Sequence, residues 1–288
     1  MSKYAWVVVG LSLLLITGSV GLKVVERTVF PVWGPNYFEQ NPATLGPYEV
    51  REDQVANKFE IDGRKFDISL FYPEDPENAL PVFIWLMGSN IQVYYHQSLH
   101  EALSSYGYLV IVPDTPRFSF TDLTYHRDLL ALANEALNMA LDGNFGLEVD
   151  EKRIAAGGYS VGASLAAFLA GKRSEINGLV FWAPSGSPYW LGIDDSSLYS
   201  RVDVPSLYVL GEKDDGAPPE GGYPEKMQEL TPDSSARVEV IENGNHHYFQ
   251  QPTEADRFSV KTSITRYEQQ RKAINITREW LNKLLGLD

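Results

Sequence analysis

RIAAGGYSVGASLAAFLA, Arg153 to Ala170, passes from a short apolar run through two glycine-flanked polar residues into a small-residue run. Arg153 to Gly157 reads as a buried strand, and Ala163 to Ala170 has helical propensity with almost no polar side chains. Between them, Gly158-Tyr159-Ser160-Val161-Gly162 is a Gly-x-Ser-x-Gly turn. A serine at a sharp strand-to-helix turn sits in a strained backbone conformation that lifts its hydroxyl out of the protein. The flanking glycines let strand and helix approach without Cβ clashes. The stretch therefore predicts a nucleophile elbow at Ser160 and a strand–turn–helix unit of an α/β fold. The motif alone is weak, and its meaning depends on what the chain supplies downstream.

An elbow serine needs a base to take its proton and an acid to orient that base. Pro205 to Gly211 (PSLYVLG) reads as an apolar strand and is followed at once by Glu212-Lys213-Asp214-Asp215. Val238 to Glu242 (VEVIE) reads as another and runs into Asn243-Gly244-Asn245-His246-His247. Both candidate sets lie just past the C-terminal ends of predicted strands, the edge of an open α/β sheet where ligands bind. The order is serine, aspartate, histidine, with the acid open between Asp214 and Asp215 and the base between His246 and His247.

These segments, with VFIWLMGSN (82–90) and LSSYGYLVIVPD (103–114), resemble the α/β-hydrolase superfamily. The likeness runs from Lys58 to Leu285 and is nearest the dienelactone-hydrolase-like and chlorophyllase/polyester-hydrolase-like branches. It implies a largely parallel central sheet with helices on both faces, and acyl-hydrolase chemistry without a cofactor. It also implies Ser160 as nucleophile, Asp214 as acid and His246 as base: Asp214 stands three residues after Gly211, and Gly-Asn-His matches the superfamily pattern. The oxyanion hole would use the backbone N–H of Val161 and that of Ser89 or Asn90. Relatives often carry His-Gly or Gly-Gly in the oxyanion loop, where this chain has Met87-Gly88-Ser89. A backbone donor does not depend on side-chain identity, so the departure touches the likeness more than the chemistry.

The rest of the chain fits that reading. Lys58 to Tyr72 predicts a β-hairpin turning at Asp62-Gly63. Strands are expected at Val82–Leu86, Tyr108–Pro113, Gly178–Ala183, Ser206–Leu210 and Arg237–Glu242. Helices are expected near Val93–Tyr106, Asp122–Leu141, Pro224–Glu229 and Ile264–Leu285. Strands alternating with helices imply a parallel sheet covered on both faces.

Residues 58–288 are expected to form the catalytic domain, and 26–57, rich in proline and glycine, a linker or a strap over it. Within 1–25, Tyr4 to Leu22 is apolar between Lys3 and Lys23. It reads as a membrane anchor or a signal peptide, with the length favouring the anchor. Either reading exports the domain, and an uncleaved segment would contact the membrane.

The formal charge of −14 speaks against nucleic-acid binding, which needs clustered Lys and Arg. The absence of cysteine excludes disulfides, a thiol nucleophile and thiolate metal sites. No metal is expected at His246-His247, because no third ligand follows by spacing. His96 and His100 lie four apart, but Gln97 replaces the glutamate a zinc protease needs, so they read as helix-surface histidines. His126 beside Asp128 reads as packing or capping at a helix start. Tyr189 and Trp190 are candidates for a substrate pocket or for rim packing. Asn275-Ile276-Thr277 matches a glycosylation acceptor but falls in a predicted helix.

The expected function is cleavage of a small, lipid-like or polymeric carboxylic ester, or a related acyl bond, through an acyl-enzyme. The alternatives are an acyltransferase, in which an alcohol replaces water, and a non-catalytic hydrolase-fold binding module.

Overall fold

Eight strands form one sheet in the order β1-β2-β4-β3-β5-β6-β7-β8. They are β1 (Val50–Ile61), β2 (Arg64–Pro73), β3 (Leu80–Leu86), β4 (Leu109–Asp114), β5 (Val149–Tyr159), β6 (Ile176–Trp182), β7 (Ser206–Gly211) and β8 (Ala236–Ile241). Strand β2 is antiparallel to both β1 and β4, and every pairing from β4 to β8 is parallel. The helices are α1 (Gln97–Ser105), α2 (Leu123–Leu141), α3 (Val161–Ala170) and α4 (Arg266–Leu285). This computed structural model describes residues 41–287, apart from 62, 90, 115–122, 185–203, 215–235, 254–255 and 257–258. The expected helix at Pro224–Glu229 and the segment Tyr4–Leu22 lie outside the described residues. Among the described residues, no helix is long and apolar enough to cross a membrane.

The central strands are apolar on both faces, as parallel strands covered on both sides must be. Side chains alternate across the sheet, so Val82, Ile84 and Leu86 of β3 join one core cluster while Phe83 and Trp85 join the other. Strand β6 divides likewise, Leu179 and Phe181 against Val180 and Trp182. The first cluster is closed by α2 and α3 through Leu129, Leu132, Leu165 and Phe168, the second by α1 and α4 through Leu99, Leu103, Ile274 and Leu281. Each such side chain, fully buried, contributes about 1.5–3 kcal/mol.

The hairpin begins earlier than expected, at Val50, since β1 continues its pairing with β2 from Val50↔Pro73 to Ile61↔Arg64. Its first residues, Arg51, Glu52 and Asp53, carry charge on an edge strand, which hid them from an apolar search. Just ahead of it, Gly46 N–H donates to Ser105 Oγ and Tyr48 N–H to Ser105 O, tying residues 46–48 to the end of α1.

Helix α4 has strong ends. Thr265 and Glu268 form a reciprocal capping box, and Gly286 closes the helix in the left-handed region at φ 66°. Thr277, the last residue of the glycosylation-like triplet, is buried and accepts a hydrogen bond from the Trp182 indole at 2.9 Å. His126, expected as a packing or capping residue, is buried, and Asp128 beside it is buried and ion-paired with Arg64 of β2.

His96 and His100 are a correction: neither is on the surface. Both are buried, because α1 packs against β1, β2 and β4 and beside α4 on the same face of the sheet, burying even its small polar residues Ser98, Ser104 and Ser105. The Trp85 indole N–H donates to His96 Nδ1 at 2.8 Å, so the imidazole is an acceptor there, and Phe71 lies 5.0 Å from the His100 ring. Burial pushes His96 down to about 3, and burial followed by the adjacent His96 pushes His100 well below the ordinary histidine value.

The unfolded chain takes up protons at both imidazoles near the ordinary 6.5, whereas the folded chain does not, so stability falls as pH drops from there toward 3. Asp114, raised to about 6 by burial and then by Asp67, acts the other way, as do Glu52 and Asp256, raised first by burial, while Asp150, Glu175 and Glu268, lowered by hydrogen bonds, act with the histidines. The expected result is a urea midpoint that declines from pH 7 to pH 4. His100→Leu should flatten that decline, and an unchanged slope would remove the histidine as its cause.

Candidate active site

The elbow is built by close approach. Strand β5 ends at Tyr159 and α3 begins at Val161, leaving Ser160 alone between them at φ 55°, ψ −124°. A non-glycine residue held there costs on the order of 1–3 kcal/mol and persists only where its surroundings over-determine it. Here Ser160 N–H donates to Trp182 O at 3.0 Å, and Ser160 O accepts from Ala163 N–H at 3.1 Å. A Cβ on Gly162 would lie 2.1 Å from Leu86 O, so only glycine lets the helix start this close to β3.

The chain then brings three side chains into line. His246 Nε2 stands 3.3 Å from Ser160 Oγ, and His246 Nδ1 stands 3.0 and 3.1 Å from the two oxygens of Asp214. Asp214 is buried and His246 nearly so, while Ser160 is partly open. Asp214 follows β7 and His246 follows β8, and the two turns are bonded to one another. Glu212 N–H donates to Ile241 O at 3.0 Å and Lys213 N–H to Gly244 O at 2.7 Å. Of the two adjacent histidines, His246 lies between Ser160 and Asp214, while His247 stands with its ring 5.4 Å from that of His246 and the two ring planes nearly perpendicular. Asp215 lies outside the described residues.

Val161 opens α3, so its N–H has no carbonyl four residues earlier to bond. The loop after β3 comes up against the same point. A Cβ on Gly88 would lie 2.8 Å from Tyr159 Cδ1 and 3.2 Å from Ser160 Cβ, and a turn follows in which Ile91 N–H donates to Gly88 O. Ser89 stands in that turn, beside the elbow. Asn90, Tyr189 and Trp190 lie outside the described residues. No group of three or more metal-ligating side chains is present among the described residues.

Further polar residues surround the histidine. Asn245 donates through Nδ2 to Val260 O and accepts from Tyr248 N–H. Gln269 of α4 bonds both backbone groups of Asn245, and Arg266 donates to His247 O and Gln250 O. Tyr159 donates to His246 O at 3.1 Å. Of these, Tyr159 and Asn245 stand within motifs, though with no role read from them, whereas Arg266 and Gln269 read as ordinary polar positions on a helix.

No protein-family model matches the chain, and no curated protein sequence matches it. Solved structures do. One of two fungal esterases from Rhizomucor miehei superposes with a TM-score of 0.66 at 16% identity, over 92% of this chain and 91% of that one. A chain from Klebsiella pneumoniae described as a dienelactone hydrolase superposes with a TM-score of 0.61, also at 16% identity, over 82% of this chain and 99% of that one. With the strand order, they establish the architecture: this chain has the α/β-hydrolase fold that the sequence resembles.

Proposed function

We propose that the chain is a serine hydrolase that cleaves carboxylic esters, or related acyl bonds, through an acyl-enzyme on Ser160. The observation that carries this reading is the unbroken line from Ser160 Oγ through His246 to the buried Asp214. The two structures it resembles, an esterase and a dienelactone hydrolase, favour the same class.

In the first half-reaction His246 Nε2 takes the Ser160 proton as Oγ attacks the acyl carbon, then gives it to the departing alcohol. In the second, a water loses its proton to Nε2 and attacks the acyl-enzyme, and Nε2 returns a proton to Oγ. Asp214 holds the Nδ1–H tautomer and stabilises the imidazolium. The oxyanion falls to Val161 N–H and to Ser89 or Asn90 N–H, each worth on the order of 3 kcal/mol.

The test is a series of p-nitrophenyl esters graded by acyl length, run with and without a competing alcohol. Release of free acid identifies a hydrolase and places its acyl preference. Transfer to the alcohol in preference to water would make it an acyltransferase on the same serine. Absence of both turnover and fluorophosphonate labelling would leave a binding module.

The apolar run Tyr4–Leu22 supports export, by anchor or signal peptide. If retained, it should keep the full chain in the membrane fraction through carbonate extraction. A chain beginning near Val29 should be soluble and fully active, because the proposed site residues all lie beyond Val82. Loss of folding on that truncation would overturn both readings of the segment.

A further inference from the structure

We infer that Tyr159 and Gln269 are positioning residues that set His246 against Ser160, an assignment that rests on the serine-hydrolase reading above. An imidazole has two rotatable bonds between its ring and the main chain. With Nδ1 engaged by Asp214, the reach of Nε2 toward Ser160 is decided by where the Asn245-His246 backbone lies. Two buried side chains from different elements hold that backbone.

Tyr159 immediately precedes Ser160, and its hydroxyl donates to His246 O at 3.1 Å. Its ring is fixed by the edge-on ring of His96 at 5.1 Å, and the His246 ring lies 5.2 Å away. Gly88 of the oxyanion loop lies against the same ring, too close for a Cβ. One residue thus touches the neighbouring turn, adjoins the serine and bonds the histidine, so it gauges the base directly from the nucleophile. Burial first, and then the charge of Asp214, holds its phenol well above the ordinary value, which keeps the hydroxyl a donor throughout the working range.

Gln269, fully buried on α4, bonds both backbone groups of Asn245, the residue before His246. Its Oε1 accepts from Asn245 N–H at 3.0 Å and its Nε2 donates to Asn245 O at 2.7 Å. This is the pattern a neighbouring strand would make, supplied by a side chain where β8 has ended. Its anchor is independent of the elbow, so the base is referred both to the serine and to the closing helix.

Tyr159→Phe keeps the ring and removes only the hydroxyl. For this variant the rate of fluorophosphonate labelling and kcat on p-nitrophenyl butyrate should fall together, by about 10- to 100-fold, with KM within about twofold of wild type. Gln269→Met, of similar length and without hydrogen bonds, should shift the same two rates in the same direction. A purely structural role would lower the melting temperature and leave the labelling rate of the folded protein unchanged. Labelling at the wild-type rate by folded Tyr159→Phe overturns the inference while leaving the serine-hydrolase reading intact. If that variant does not fold, Gln269→Met decides on the same criterion. A wild-type chain that takes no label ends the underlying reading and this inference with it.

Discussion

Ser160→Ala is expected to abolish fluorophosphonate labelling and to lower ester turnover on the order of 10⁶-fold, the loss typical when a serine hydrolase is deprived of its nucleophile. The fold should be untouched. The side chain removed is one hydroxyl on a partly open residue, with a 3.3 Å bond to His246. Alanine also meets the backbone at φ 55° with the same Cβ as serine, so the strain of the elbow is neither relieved nor increased. Circular dichroism and melting temperature should therefore stay close to wild type while labelling disappears. A variant that labels at the original rate would show that another residue is the nucleophile.

The second large effect is expected at the acid. Asp214→Asn should lower kcat by about 10⁴-fold, because an amide can turn a donor toward His246 Nδ1 and favour the tautomer that leaves Nε2 unable to accept the serine proton. Both oxygens of the native carboxylate face Nδ1, at 3.0 and 3.1 Å, so an amide there cannot avoid that choice. Asp215→Asn, one residue on, should change kcat little. His246→Ala should cost at least as much as Asp214→Asn, and His247→Ala should not, since it is His246 that stands between Ser160 Oγ and Asp214. A reversed result in either pair would move that role by one residue and keep the mechanism.

Strands β3, β6 and β7 were legible because a strand buried on both faces has no polar position, and VFIWL, GLVFW and SLYVL contain almost none. The start of β1 was not, because an edge strand needs no apolar run. His96 and His100 were misread for the opposite reason. Spacing along a helix says which residues share a face, not which face is inward, and the serines of α1 disguised a helix enclosed on nearly every side.

Local chemistry, then, was sufficient for the elbow at Ser160, the alternation of strands and helices, and the order of candidate serine, aspartate and histidine. The elbow and each strand or helix depend on residues within a few positions of one another, and the order is read directly along the chain. Tertiary structure was required to place His246, rather than its neighbour His247, between Ser160 and Asp214. It was also required to bring Ser160 and His246, 86 residues apart, to 3.3 Å, and to recruit Gln269 from α4 onto the histidine turn. The reason is that these contacts depend on the relative placement of three strand ends and a helix. That placement follows from sheet order and core packing, to which hundreds of residues contribute and which no short window of sequence contains.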